Sequence, residues 1–471
     1  MHACRVVVLV AVCAATSSAC PSSDPAPPSA PQAPETDRDP APAEHHAPVD
    51  DDHYVVAPEG DDGASGSAAA PWKTLQGAAA EVGPGDTVIV RAGRYDGFEL
   101  GTSGTPNEPI RFKAQDGVVI DEPSSRDGIN LEGASHVHIR GFRVQGASRA
   151  GIRAVKCEHV KIRDNVLDRN DRWGILTGFC DDLTITGNEA SRSRDEHGIY
   201  VGNTSERPHV ADNEIWGNRL AGIHMNGDVH MGGEGVISGA RITGNVIREN
   251  GAGGASGINL DGVQDSLVAN NLLYENTSAG IALYRIDGGG PSTQNVVVHN
   301  TVVMARGNSR WALSLSNGAQ QNAVYNNILL AGNPQRGAIA ASSDSLPGLR
   351  SDANLITDRL SPDGGETVLG LEAWRSLTGQ DDDSSPSPSA DELFADPGAG
   401  DFKLAKDSPA RGAGKPLSAA LGRRAVQASA SDLAGVARPS DGPPDPGCYQ
   451  MSQDESAKES DTADATDDAN R

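Results

Sequence analysis

The chain has 471 residues, 55 of them glycine, only 4% aromatic residues and a formal net charge of −25. That length can fill one large core, and the composition calls for many tight turns around a core of Ile, Val, Leu and Ala rather than rings. Such acidity excludes a nucleic-acid binder, whose phosphate contacts need Lys and Arg, and it repels an anionic polymer at long range unless local cations or a metal offset the field.

Residues 1–19 form a targeting segment. Arg5 precedes an apolar run from Val6 to Ala15, too short to span a bilayer, and the small residues Ser17 and Ala19 suit cleavage before Cys20. The segment resembles a bacterial lipoprotein signal, although the Leu usual three residues before the Cys is missing. The resemblance implies lipidation of Cys20 and an exported protein held at a membrane only through that lipid; plain secretion is the alternative. The stretch 20–52 is rich in Pro, Ala, Asp and Glu and reads as an extended, disordered stalk.

The body, 53–450, is repetitive. The pair Gly-Ile recurs at Gly128, Gly151, Gly174, Gly198, Gly222, Gly257 and Gly280, in steps of 23, 23, 24, 24, 35 and 23 residues. A second ladder runs out of phase: Asn165, Asn188, Asn213, Asn245, Asn271, Asn300 and Asn327, each after a short run of alternating apolar and polar residues. Alternation is a strand signal. Several short strands per repeat, with Gly and Asn at corners that need left-handed backbone, make one coil of an all-β parallel solenoid. The stretches 73–82 and 369–377 read as short capping helices covering the open ends, and 351–450 as an irregular closing segment. The tail 451–471 carries seven acids against two bases and reads as disordered.

These residues carry a resemblance. The entry from Tyr54 to Asp61, the Pro84-Gly85-Asp86-Thr87 element, and the exit motifs Asp401-Phe402-Lys403-Leu404 and Pro446-Gly447-Cys448-Tyr449 are similar to those of the pectate-lyase-like superfamily. The resemblance runs from about Tyr54 to Tyr449 and implies a single-stranded right-handed parallel β-helix. It says less about chemistry, since that superfamily hosts lyases, hydrolases, epimerases and non-enzymes. Cys157 and Cys180 fall one coil apart, close enough for a disulfide or for a ladder of buried thiols; both readings stand.

In the strand that opens at each Gly-Ile, the first and third residues are apolar and point inward, so the second and fourth point out. The second position reads Tyr200, His224, Asn259; the fourth reads Asn226, Asp261, Tyr284. Asp195 and His197 precede one such strand, Trp173 and Trp311 precede others, and Asp228, Arg285 and Asp287 follow. Two long loops, 228–235 and 285–291, leave the same rim, where binding residues gather on rigid scaffolds.

The superfamily resemblance implies action on an acidic, uronate-containing polysaccharide by β-elimination or C5-epimerisation. Both reactions remove the proton beside a carboxylate and need a neutralising cation, a base and an acid. Arg285 would neutralise, His197 or His224 would be the base, and Tyr200 or Tyr284 the acid, with Asp261 in the same cluster. Trp173, Asp195, Asn226, Asp228, Asn259, Asp287 and Trp311 would bind substrate. The alternatives are a non-catalytic glycan- or partner-binding β-helix and a hydrolase with paired Asp residues. No cofactor is required; calcium would find oxygen ligands in Asp228, Glu234, Asp261 or Asp287, though no spacing among them is diagnostic. The protein is expected to be a monomer.

Overall fold

The computed structural model describes residues 53–451, except 308, 418–420, 422–425, 428–429 and 441. They lie within the larger of the chain's two compact units, His45–Arg471. The signal segment, Cys20, the stalk and all but the first residue of the acidic tail lie outside the described residues.

Each coil gives one strand to each of three parallel sheets, of 12, 11 and 12 strands. The 11-stranded sheet carries the Gly-Ile strands, from Phe98–Leu100 to Leu360–Ser361. Its register stacks like on like: Ile129, Ile152, Ile175, Ile199, Ile223, Ile258 and Ile281 form one inward column, fully buried. Every rung removes a whole branched side chain from water, each worth roughly 1.5–3 kcal/mol.

The Gly of each Gly-Ile is not there for its backbone freedom. None of the seven has positive φ. A Cβ on Gly174 would instead lie 2.6 Å from the Gly198 carbonyl oxygen, and one on Gly198 would lie 2.9 Å from that of Gly222. The coils approach too closely at this corner for any side chain. Left-handed backbone falls elsewhere, on the residue just before each ladder Asn: Asp164, Gly187, Asp212, Gly244, Asn270, His299, Asn326 and Ala353.

The Asn ladder continues one rung beyond Asn327, to Asn354. From Asn188 on, each Oδ1 accepts the backbone N–H and the side-chain amide of the Asn one coil earlier, as Asn245 does from Asn213 (3.1 and 2.9 Å), while Asn165 accepts from Phe142 N–H (3.0 Å); each Nδ2 donates to a carbonyl, as Asn245 does to Val210 (3.0 Å). The side chains are buried and fully paired, which is what makes them tolerable in the core. At the far end Asn354 N–H donates to Ser384 Oγ (2.9 Å), whose own proton goes to Asp381 (2.7 Å).

The capping helices form at Leu75–Glu81, where Thr74 Oγ1 accepts from Gly77 N–H (2.9 Å), and at Leu371–Thr378, which buries Trp374 against the last coil. The closing segment is more ordered than its sequence suggests. The antiparallel pair Phe394–Asp396 and Asp401–Leu404 packs Phe394, Phe402 and Leu404 over Leu272, Ile328 and Leu355 on the outer face of a sheet.

Cys157 and Cys180 stack one coil apart, and both are free and buried. The disulfide reading is therefore not what the structure holds; the thiol ladder is. The hydrogen bond to Cys180, together with burial, pushes the Cys157 thiol up.

Candidate functional site

The outer face of the 11-stranded sheet pairs Leu176, Tyr200, His224, Asn259, Ala282 and Ser314 in one column and Gly202, Asn226, Asp261 and Tyr284 in the next. Small or apolar neighbours therefore bound a polar patch. A groove of about 450 Å³ opens on this face toward the later coils, and Asn259, Tyr284, Arg310, Trp311, Ser314 and Arg336 line it.

Behind the groove runs a chain of hydrogen bonds with one allowed direction. The backbone N–H of Ala221 donates to Nδ1 of His197 (3.0 Å), so that nitrogen carries no proton. His197, neutral, must then be protonated at Nε2, which lies 3.1 Å from Nδ1 of His224. His224 accepts there and carries its proton on Nε2, 3.4 Å from the Tyr284 hydroxyl. The reverse direction would strip both nitrogens of His197 and is chemically closed. Glu196 Oε2 stands 3.5 Å from His197 Nε2. Tyr200 lies against both imidazoles, stacked on His197 and edge-on to His224, and its hydroxyl receives Asn226 Nδ2 at 3.1 Å.

Burial sets the protonation states. It lowers His224 to about 4 and His197 well below its ordinary value, so both rings are neutral at pH 7. It raises Tyr200 to about 12 and pushes Tyr284 up further, helped there by Asp261 and Asp287.

The structure brings His197, Tyr200, His224, Asn226, Asn259 and Tyr284 together, and corrects the roles expected of several others. Neither histidine has a free lone pair at rest, so neither is placed to act as the base. Asp261 is a loop anchor: its oxygens accept the backbone N–H groups of Ile286, Asp287 and Gly288 at 2.9, 2.9 and 3.1 Å. Arg285 turns its Nε onto the Gly288 carbonyl (3.1 Å) rather than into the groove. Asp228 accepts from His230 N–H (2.8 Å) and pairs its backbone with Gly288, which ties the two long loops together, as does Val229 N–H on the Asp287 carbonyl (3.1 Å). Asp195 stays exposed on a turn. Trp173 is covered by the Arg172 guanidinium, 4.2 Å above its ring, so it offers no open platform. Trp311 is buried, 4% exposed, with one edge in the groove.

Arg310 and Arg336 are the groove residues that sequence reasoning missed. Neither side chain makes an ion pair or hydrogen bond among the described residues. Arg310 sits two residues before a weak Gly-Ile copy, Ala312-Leu313, and that offset was the available signal. Among the described residues no three His, Cys, Asp or Glu side chains converge as metal ligands.

Comparison with known proteins agrees with this geometry. Residues 54–198 match a Pel9A-like right-handed β-helix region, and 196–355 match a right-handed β-helix region. This is a right-handed parallel β-helix protein. The β-helix is similar to the crystal structure of pectate lyase Pel9A, with a TM-score of 0.51 at 17% identity over 84% of this chain and 96% of that one. A rhamnogalacturonan lyase gives 0.44 at 16% identity over 61% and 84%, and an alginate lyase from Paenibacillus sp. str. FPU-7 gives 0.43 at 16% over 57% and 95%. These are likenesses of fold. No curated protein matches the chain.

Proposed function

We propose that this β-helix protein acts on a uronate-containing polysaccharide in the Tyr284 groove, by β-elimination or C5-epimerisation. One observation carries the reading: a phenol backed by a fixed histidine donor stands on the wall of a groove that holds two unpaired arginines, in a chain that is otherwise strongly acidic. Arg310 and Arg336 would neutralise the substrate carboxylate and so stabilise the carbanion-like state. The base must come from the groove itself. The histidine lone pairs are taken, Asp261 is occupied, and no Lys among the described residues lines the groove. Tyr284 remains. Its phenolate, held by His224 Nε2–H and the two arginines, would take the proton beside the carboxylate. The resulting phenol would give its proton to the leaving glycosidic oxygen in elimination; in epimerisation the opposite ring face would be protonated by a second donor, solvent water, and Tyr284 would lose its proton to solvent.

A screen of uronate polysaccharides tests this, following absorbance of unsaturated ends for elimination and solvent deuterium incorporation at C5 for epimerisation. The expected result is turnover of at least one, lost in Tyr284→Phe. The second reading, a non-catalytic glycan binder, is favoured by one fact: burial holds Tyr284 protonated at rest. Binding without turnover, undiminished in Tyr284→Phe, would establish it. Location outside the cytoplasm with a lipid on Cys20 belongs to the same proposal, and the mass of the mature N-terminus checks it.

A further inference from the structure

The outer face of one 12-stranded sheet breaks the acidity of the chain. Its strands Ile110–Ala114, Val137–Arg140 and Lys161–Arg163 stack in register, so Arg111, His138 and Lys161 form one outward column and Lys113, Arg140 and Arg163 the next. Stacked neighbours lie about 4.8 Å apart. Thr87 and Ile89 flank the columns on one side and Thr184 and Thr186 on the other, so the cations are confined to these coils. Around the corner Arg143 adds another, and an open cleft of about 520 Å³ runs between Lys113, Arg140 and Arg143. All of these cations are exposed or half-exposed.

Like charges stacked this closely oppose folding unless something answers them. The bordering acids are Asp86, Glu108 and Glu158 before the strands and Asp116 and Asp164 after them. Asp164 pairs with Arg140 at 2.8 Å. Arg111 donates to the Pro109 carbonyl (3.1 Å) and Arg163 to the Thr186 hydroxyl (3.0 Å), contacts that leave their charge uncompensated. Lys113, Arg143 and Lys161 make no ion pair or hydrogen bond among the described residues. His138 stands in the middle of the face. Burial, then Lys161, Arg111, Arg163 and Lys113, lower it to about 4, so it is neutral at pH 7. The field at the centre of the face is therefore positive, in a chain whose net charge is −25. An anionic polymer meets repulsion over most of this protein and attraction here. The exposed large apolar side chains all lie elsewhere in the described chain, so nothing on this face would enter a bilayer.

We propose that this face is a second polysaccharide-binding surface, which holds a uronate chain by its carboxylates along the columns of Lys113, Arg140 and Arg163 and of Arg111 and Lys161. The choice of polymer rests on the reading of the Tyr284 groove; the surface itself needs no turnover. The groove begins three coils further on, on the outer face of the 11-stranded sheet. A chain held here is kept at high local concentration beside it, and many weak contacts add up without any deep pocket.

Fluorescence anisotropy of labelled polygalacturonate and alginate with the full chain tests the proposal, in an Arg310→Ala, Arg336→Ala background so that the groove's own affinity for carboxylates does not contribute. Dextran is the uncharged control, and phosphatidylglycerol vesicles probe a lipid surface. Saturable binding of at least one uronate polymer is expected, with none of dextran, and added salt should weaken it. Lys113→Gln, Arg143→Gln and Lys161→Gln together should weaken it by about tenfold or more, and these changes break no bond within the described protein. Thr184→Glu, which adds a carboxylate at the edge of the face and removes no cation, should act in the same direction. No binding by the background protein, unchanged affinity in the folded triple variant, or binding to vesicles and to neither polymer would overturn the surface. Turnover plays no part in the readout, so failure here and failure of the groove's chemistry are read separately.

Discussion

The Tyr284 hydroxyl lies 3.4 Å from Nε2 of His224, although 60 residues separate the two along the chain. The contact crosses two coils and both outward columns, at the long end for a hydrogen bond. Removing the hydroxyl alone, in Tyr284→Phe, should lower kcat by about 10²–10⁴. Stability should change by no more than about 1 kcal/mol, because the hydroxyl makes one weak bond. Wild-type turnover should rise with pH above neutrality, since burial keeps the phenol above its ordinary value and the reactive phenolate is scarce at pH 7. A pH–rate profile flat from about pH 7 to about pH 10 would remove Tyr284 from the role of base.

Arg310 and Arg336 should act on the substrate carboxylate in both the ground and transition states. Replacing either with Ala should raise KM on a uronate polymer about tenfold, the loss of roughly 1.4 kcal/mol, with a smaller effect on a neutral polymer. Steady-state kinetics on both polymers, with and without added salt, measure it. Equal losses on the two would place the arginines outside carboxylate recognition.

The buried histidines make stability depend on pH. His224 titrates near 4 when folded against an ordinary 6.5, and His197 and His299 are also held well below. The unfolded chain therefore binds more protons between those values, so stability is full above about pH 6.5 and falls as pH drops toward 4. Each buried histidine contributes up to about 1.4 kcal/mol per pH unit across its window. Urea melts from about pH 7 to about pH 4.5 should show this slope, and His224→Gln should flatten it.

The Asn ladder predicts a local cost with a known cause. Asn245→Ala takes the acceptor from the backbone N–H and from one of the two amide protons of Asn213, the other staying on the Ile185 carbonyl, and takes a donor from the Val210 carbonyl, all inside the core. Each buried orphan costs about 1–3 kcal/mol, so the variant should lose about 3 kcal/mol or more in urea melts. A loss below about 1 kcal/mol would mean that water enters the turn and replaces the amide.

Much of this was legible because a solenoid repeats its own evidence. The spacing of Gly128, Gly151 and Gly174 exposes the coil, and period-two alternation by itself places Tyr200, His224 and Tyr284 on the outer face. The reason for those glycines was not legible, since close approach to the next coil and left-handed backbone leave the same letter. Nor was the role of Asp261. Its chemistry suited catalysis, and only the folded loop shows three backbone N–H groups claiming it. The direction of the histidine chain depends on Ala221, whose side chain carries no signal and whose backbone N–H decides everything downstream. Arg310 and Arg336 lie off the repeat, so periodicity could not find them.

Ser384 changes what limits the size of this molecule. A globular domain stops growing when its interior is full, but a stack of coils has no such closure. Here the final rung is a hydroxyl that accepts from Asn354 and passes its own proton sideways to Asp381, so no amide remains to receive another coil. Length is thus set by a terminator, as in a polymer, and whole coils of about 23 residues could be gained or lost between the two ends while the rung on either side of the change stays the same.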